Sequence, residues 1–493
     1  MKVYTFSQFG YEGSLVEVEV DLRRGTPAVD IVGLADACVK DTRERVKAAF
    51  RNSQIDFPEE RVLVSFSPAD LLKRTPMDLA MALAIINQQK PFSLNEKVLV
   101  IGELELSGKV REGRGTYSAI QTAKDAGIKK VIIPKSKEIE SFNFGDIEYI
   151  EAGTLTEAVE KLNVGKFSAF GSVKMVDDTS SSEREIPSVD LRGYSKAVRA
   201  ISIAVAGKLN ILAYSAPGCG KTMLLQGLIP YLTPCLTVEE LEFVKRLYAL
   251  AGMEYKTNNA PFRMPHQTAS VEGMCGGGPN LRPGEISLAH NGVLFLDEAS
   301  EFRTSILQIL RVPLEMKQIT LSRAGRSTIF PANFQLAMAA NPCPCGNYGT
   351  PDKICFCGAK AIELYWKKFS SPLLDRVAIQ FWVNKEHNFV PPHTSLSDLR
   401  EMIKRAWEIQ IKRGVFNEYM SDTEINMYIQ EATSKTAMKI LNNNSHKYEF
   451  SPRVLKNVLK LARTLADMNG LELIEDETMK LAIQLHGHNP LVI

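Results

Sequence analysis

The chain has 493 residues, of which 45% are apolar and 24% charged, and its formal net charge is +2. That length is more than one hydrophobic core organises, so two or three domains are expected. No apolar run approaches the ~20 residues of a membrane span, and so small a net charge leaves nucleic-acid contact to local basic patches. The opening "MKVYTFSQFGYEGSLVEVEVDL" alternates like a strand and lacks the basic start and unbroken apolar core of a signal peptide. A cytoplasmic protein with no membrane partner is expected.

Residues 1–165 alternate strand-like and helix-like segments: "LVEVEVDL", "DACVKDTRERVKAAFRNS", "RVLVSFS", "MDLAMALAIINQQ", "KVLVIGELEL" and "KKVIIP". This predicts one α/β domain. Residues 166–188 run into a polar, serine-rich stretch without apolar period, which reads as a linker. Residues 189–390 form a second α/β block, with apolar strands "LNILAYS", "GVLFLDE" and "FQLAMAAN" separated by helical or loop-rich segments, the rhythm of a parallel sheet flanked by helices. Residues 391–493 are helical in pattern, as in "LSDLREMIKRAWEIQIKRG", "TEINMYIQEATSKTAMKILNN" and "SPRVLKNVLKLARTLADMNG".

The second block carries "SAPGCGKT", comprising Ser215, Ala216, Pro217, Gly218, Cys219, Gly220, Lys221 and Thr222. It departs from the phosphate-loop pattern G-x-x-x-x-G-K-[ST] only at Ser215, and serine is small enough for a turn. A strand precedes it and a helix follows, so backbone N–H groups and a helix N-terminus are available to phosphates. Lys221 is then the β- and γ-phosphate ligand and Thr222 a Mg²⁺ ligand.

"GVLFLDEASEF" is a buried strand that ends in two carboxylates. Asp297 is placed to hold Mg²⁺ and Glu298 to act as general base on water. Acidic residues at a strand end are ordinary by themselves; their pairing with a phosphate loop upstream in the same sheet gives them meaning. Asn341, ending the next strand, is either a turn residue or the group that orients the lytic water. Arg376 in "SSPLLDRVAI" is either a surface partner of Asp375 or an arginine finger for a neighbouring subunit. Arg453 in "SPRVLKN" is a helix-start charge or a sensor of nucleotide state.

With these residues in place, the chain resembles the ComM/YifB group of magnesium-chelatase-like AAA+ ATPases along nearly its whole length. The resemblance rests on "VEVDLRRGTPAVDIVGLADACVKDTRERVKAAFRNS", "FSPADLLKRTPMDLAMALAI" and "GELELSGKVREGRG". It continues through "PFRMPHQTASVEGMCGGGPNLRPGEISLAHNGVLFLDEASEF", "LRVPLEMKQITLSRAG" and "SSPLLDRV". It implies a Lon-protease-like α/β N-terminal domain, an AAA+ P-loop domain with a parallel sheet, and a helical C-terminal lid. It also implies ATP and Mg²⁺ as cofactors, a hexameric ring, Asn341 as sensor, Arg376 as a finger acting in trans and Arg453 as second sensor. Two departures stand out: Ser215, and Tyr194 where the group usually has glutamine.

The group's link to DNA handling makes branched or single-stranded DNA the expected partner. Arg282, Lys317, Arg323 and Arg326 are then candidate pore cations, against the plainer reading of solvated surface charges. Where a Lon peptidase would have its serine and lysine, this chain has Met77 and Thr116, Tyr117 and Ser118, so no acyl chemistry is expected. The alternatives to a DNA motor are an ATP-driven protein remodeller or chelatase-like motor subunit, and a nucleotide switch of low turnover.

Directly after Asn341, "NPCPCGNYGTPDKICFCG" holds Cys343, Cys345, Cys355 and Cys357. Four thiols this close, with Gly and Pro turning the chain between pairs, can close a tetrahedral Zn²⁺ site; reduced free thiols are the alternative.

Overall fold

The computed structural model describes residues 1–33, 36–68, 77–113, 115–135, 144–170, 191–279, 281–323, 326–350, 353–385 and 395–486. Most of the expected 166–188 linker lies outside them. No helix among the described residues is long and apolar enough to cross a membrane.

The first α/β block is built on an eight-stranded mixed sheet, in the order Ser168–Ala169, Glu148–Ala152, Lys130–Pro134, Lys97–Val100, Lys2–Phe9, Glu12–Arg23, Arg61–Ser67 and Val29–Val32. Strand side chains alternate between faces, and the buried residues follow that rule. Val98, Val100 and Ile132 share one core with the Asp78–Gln89 helix, while Leu99, Val131 and Ile133 join the Thr116–Asp125 helix in another. The segment "KVLVIGELEL" is not one strand: it breaks at Gly102, at φ +149°, where a Cβ would come 2.7 Å from Val110. Glu103–Leu104 then turns away to pair with Val110–Arg111.

The second block has a five-stranded, all-parallel sheet in the order Phe262–Arg263, Val293–Leu296, Gln335–Ala340, Ile211–Tyr214, Ile379–Trp382. The first of these in the chain, Ile211–Tyr214, sits between the last two, so the strand ends beside it form a topological switch point, where ligands bind in such sheets. Odd and even residues serve two cores. Ile211, Ala213, Phe295 and Ala339 face the Ser195–Gly207 and Lys221–Leu232 helices, and Leu212, Tyr214, Leu296 and Met338 face Phe302, Tyr365 and Trp366.

The helical C-terminal region includes Leu396–Arg413, Lys435–Tyr448, Pro452–Met468 and Asp476–His486. The first starts in a Ser395–Asp398 capping box and stops at Gly414 in the left-handed conformation. The helical stretch "TEINMYIQEATSKTAMKILNN" is interrupted after Gln430, because Ser434 caps a new helix by accepting from the Ala437 N–H. Trp407 Nε1 and Gln410 Nε2 donate to the carbonyls of Val205 and Ala206 at 3.1 and 2.8 Å, fastening this region to the helix that precedes the phosphate-loop strand.

Candidate nucleotide site

The loop 215–220 joins the buried strand Ile211–Tyr214 to the helix Lys221–Leu232. Its turns depend on glycine, since Gly218 and Gly220 take φ of +82° and +85°, a region that side chains strain. Ser215 is fully buried, and its backbone stays out of that region. Lys221 Nζ reaches back over the loop and donates to the Ser215 and Ala216 carbonyls at 2.7 and 3.0 Å and to Asn341 Oδ1 at 3.2 Å. Burial pushes its ammonium below the ordinary lysine range, opposed by the charges of Cys219, Asp297 and Glu298. Tyr194 covers Gly220: a Cβ there would come 3.1 Å from the tyrosine oxygen. The residue that departs from the expected glutamine therefore packs on the loop itself.

Opposite the loop, Thr222 Oγ1 donates to Asp297 Oδ1 at 2.9 Å, and the Glu298 N–H donates to the same oxygen at 3.0 Å. Hydroxyl and carboxylate are thus already paired in the way a shared Mg²⁺ requires, and the donor set fits that hard ion. Glu298 sits in the left-handed region at φ 46°, ψ 49°, a conformation costing about 1–3 kcal/mol that tends to mark functional positions. Gln267 Nε2 donates to Glu298 Oε2 at 2.5 Å and holds the carboxylate in place. Sequence reasoning passed over Gln267; its one signal was its place inside the long shared stretch "PFRMPHQTASVEGM". Asn341 is fixed from behind, its carbonyl accepting the Tyr365 hydroxyl at 2.8 Å. The loop, Lys221, Thr222, Asp297, Glu298 and Asn341 therefore meet at the C-terminal ends of three adjacent strands. The set has the groups needed to cradle a triphosphate, hold Mg²⁺ and activate water.

Arg376 and Arg453 do not join that set. The Arg376 carbonyl accepts from Asn210 Nδ2 at 2.8 Å, at the N-terminal end of the phosphate-loop strand. Four strand residues, about 13 Å, separate that edge from Ser215. The Arg376 guanidinium is bound by Glu315 and by the Pro372 carbonyl, and Arg453 lies 3.5 Å from the same Glu315 carboxylate. The surface partner of Arg376 is thus Glu315 and not Asp375, whose carbonyl instead accepts from Asn457 Nδ2 at 2.8 Å. Both arginines hold Glu315 below the usual carboxylate range, Arg376 more strongly. Neither faces its own chain's loop.

Of the four cations expected near a pore, Arg282 and Arg323 are exposed. Lys317 is not available: its ammonium lies over the Tyr419 ring, 4.4 Å from the centroid, where burial lowers its pKa. Gln318–Arg323 pairs antiparallel with Arg326–Pro331 as a hairpin; the Arg326 side chain lies outside the described residues. In the N-terminal block Met77 is buried. The Ser118 hydroxyl accepts from Arg246 Nε at 2.9 Å, which engages it in an interdomain contact.

The sulfur atoms of Cys343, Cys345, Cys355 and Cys357 lie within 4.8 Å of one another, a cluster compatible with a structural zinc ion.

Comparisons with known proteins find family models and relatives that match along the chain. Residues 188–390 match a family model described as magnesium chelatase, subunit ChlI; residues 18–137 match one described as subunit ChlI of Mg-chelatase, and residues 393–486 one for the ChlI C-terminal part. The chain is 34% identical over 487 residues to competence protein ComM of Haemophilus influenzae, covering 95% of this chain and 94% of that one. It is 32% identical over 504 residues to YifB of Escherichia coli, covering 100% and 98% of the two. A shorter stretch of 136 residues is 30% identical to the archaeal Lon protease of Methanocaldococcus jannaschii, covering 27% of this chain and 21% of that one. With full-length relatives of this kind and a P-loop sheet that places its acidic and polar strand ends around Lys221, the chain belongs to the ComM/YifB family of magnesium-chelatase-like AAA+ ATPases.

Proposed function

We propose that this protein is an ATP-hydrolysing ring motor that acts on branched or single-stranded DNA in the cytoplasm, driving branch migration or helicase-type remodelling during DNA uptake or recombination. The observation that carries the reading is the division of the hydrolysis machinery between two edges of one sheet. Lys221, Thr222, Asp297, Glu298 and Asn341 occupy the C-terminal edge, and Arg376 with Arg453 the N-terminal edge. A head-to-tail ring, which in this reading is a hexamer, brings the arginine edge of one subunit to the phosphate edge of the next.

In that arrangement the loop N–H groups and Lys221 bind the phosphates, and Thr222 and Asp297 hold Mg²⁺. The ion, when bound, offsets charge on the β- and γ-phosphates. Glu298, held by Gln267, takes a proton from the lytic water, and Asn341 orients that water. The neighbour's Arg376 stabilises the charge that develops, and Arg453 beside it reports the nucleotide state to the helical lid. Residues 1–165 serve as a collar without peptidase chemistry, 166–188 as linker, 189–390 as motor and 391–493 as lid. DNA is favoured by the name of one full-length relative, a competence protein, and by the exposed Arg282 and Arg323.

The test is ATP turnover with and without forked or Holliday-type DNA, with Glu298→Gln as control. Stimulation that falls as salt rises supports the reading. Turnover indifferent to DNA, together with no salt-sensitive DNA binding, favours a protein remodeller. Tight ATP binding without turnover favours a switch.

A further inference from the structure

The four cysteines sit on the loop that leaves Asn341. Sulfur-to-sulfur separations are 3.4 Å for Cys343 and Cys345, 3.7 Å for Cys343 and Cys355, and 3.6 Å for Cys345 and Cys355. These are too long for disulfides, whose sulfurs lie about 2.05 Å apart. They are close to the edges of one face of a ZnS4 tetrahedron, where a Zn–S bond of about 2.3 Å implies edges of about 3.75 Å, and the Cys357 sulfur lies within 4.8 Å of the other three. A multi-iron cluster would spread its thiolates around a larger inorganic core, so the spacing suits a single ion.

Backbone geometry supports the same arrangement. The Tyr348 N–H donates to Cys343 Sγ at 3.3 Å, and the Gly346 N–H donates to the Cys343 carbonyl at 3.0 Å. Gly346 takes φ +78° to turn the chain between them. An all-sulfur, tetrahedral donor set selects Zn²⁺ over the Mg²⁺ of the neighbouring nucleotide site.

The loop also touches that nucleotide site. Gly346 lies so close to Pro217 that a Cβ on it would come 2.7 Å from the proline Cδ. Trp366 Nε1 donates to the Pro342 carbonyl at 3.0 Å, one residue from Asn341. The knuckle therefore bears on the phosphate loop on one side and on the Asn341 strand end on the other.

We propose that Cys343, Cys345, Cys355 and Cys357 hold one structural Zn²⁺ ion, and that the closed knuckle props the phosphate loop through the Gly346–Pro217 contact, so that ATP affinity depends on the metal. Without the ion, the two cysteine pairs lose the bonds that join them, and Gly346 no longer holds Pro217 in place. The second half of the proposal rests on the reading of residues 215–222 as the nucleotide site.

The experiment uses the full-length chain purified under reducing conditions. Metal analysis is expected to find one zinc per chain, and Co²⁺ exchange to give the charge-transfer and visible bands of a tetrahedral thiolate site. Both are expected to vanish in the Cys355→Ser, Cys357→Ser double variant. Stripping zinc with a chelator is expected to raise the dissociation constant of a fluorescent ATP analogue at least about 5-fold, with recovery on re-addition of zinc. Gly346→Ala is expected to keep its zinc and still lose affinity, because its Cβ pushes on Pro217. Iron in place of zinc, or no stoichiometric metal, overturns the site. Unchanged affinity in both the stripped protein and Gly346→Ala overturns the coupling. Failure of the zinc-loaded parent to bind ATP overturns instead the nucleotide reading, and the zinc measurement stands apart from it.

Discussion

Arg376 is bound by Glu315 at the edge of the ATPase sheet that faces away from Lys221, and Arg453 shares the same carboxylate. Only 12% of the Arg376 side chain is exposed. Its charge is thus held beside a counterion, away from its own chain's phosphate loop.

That geometry predicts complementation between two inactive subunits. Arg376→Ala is expected to bind ATP like the parent but to lose turnover by a factor on the order of 10³ or more. Glu298→Gln is expected to bind and not hydrolyse. Mixed one to one, they form interfaces in which an intact Glu298 meets an intact Arg376 in roughly one case in four, and ATPase activity should return to about that fraction. If no mixing ratio restores activity, the trans role of Arg376 is wrong.

Ser215→Gly is expected to change little. The serine replaces a glycine in the motif, but its backbone avoids the left-handed region that Gly218 and Gly220 occupy, and its side chain is fully buried. ATP affinity and turnover should stay within about threefold, while stability falls by about 0.4–1 kcal/mol through the freer unfolded chain. A tenfold gain in turnover on this substitution would show that the serine restrains the motor.

The fold class and the C-terminal edge of the site were legible because each depends on local pattern. A strand, a Gly-bearing loop and a helix announce a phosphate cradle, and "VLFLDE" announces a buried strand that ends in carboxylates. The resemblance to a family supplied what spacing did not, namely roles for Arg376 and Arg453. Partners set by long-range packing were out of reach: Glu315 meets Arg376 across 61 residues and Arg453 across 138, and Gln267 meets Glu298 across 31. Neither the pore reading nor the solvated reading of Lys317 anticipates its place over Tyr419, since nothing near it in the chain announces that ring. The two-residue strand Phe262–Arg263 gave no periodic signal because it is too short to alternate.

Asp78 makes the stability of the N-terminal block depend on pH. It is fully buried, with Arg45 3.4 Å away, and burial raises its carboxyl to about 6, against the pull of Arg45. In the unfolded chain the same group titrates near ~4. The folded state therefore holds a proton that the unfolded state releases, and the associated stability is complete below pH ~4 and lost as pH rises through about 6. Relative to Asp78→Asn, the parent should lose about 2–3 kcal/mol between pH 4 and 7. The difference in unfolding midpoint between the two proteins, followed across that range, checks it; a difference that is flat or of opposite sign refutes the assignment.

Arg246 joins the N-terminal block to the motor, and its removal should loosen that joint without touching nucleotide binding. It projects from the Val238–Ala251 helix, donates through Nε to Ser118 Oγ at 2.9 Å and through Nη2 to the Tyr11 carbonyl at 2.8 Å, and lies 4.0 Å over the Tyr11 ring. Tyr11 in turn donates its N–H to Thr328 Oγ1 at 3.1 Å and packs edge-on against Phe330, so one turn of the first sheet grips both a motor helix and the 318–331 hairpin. Arg246→Ala deletes two hydrogen bonds to a charged group and a cation–π contact, together about 2–4 kcal/mol of local stability. Lysine cannot reproduce the forked geometry, so Arg246→Lys should recover only part of it. Amide exchange around Tyr11 and Thr328 is expected to speed up by about 10-fold or more, while ATP affinity stays at the parent value. Unchanged protection at both places would mean that the grip is carried by Tyr11, Thr328 and Phe330 alone, and that Arg246 is not the joint.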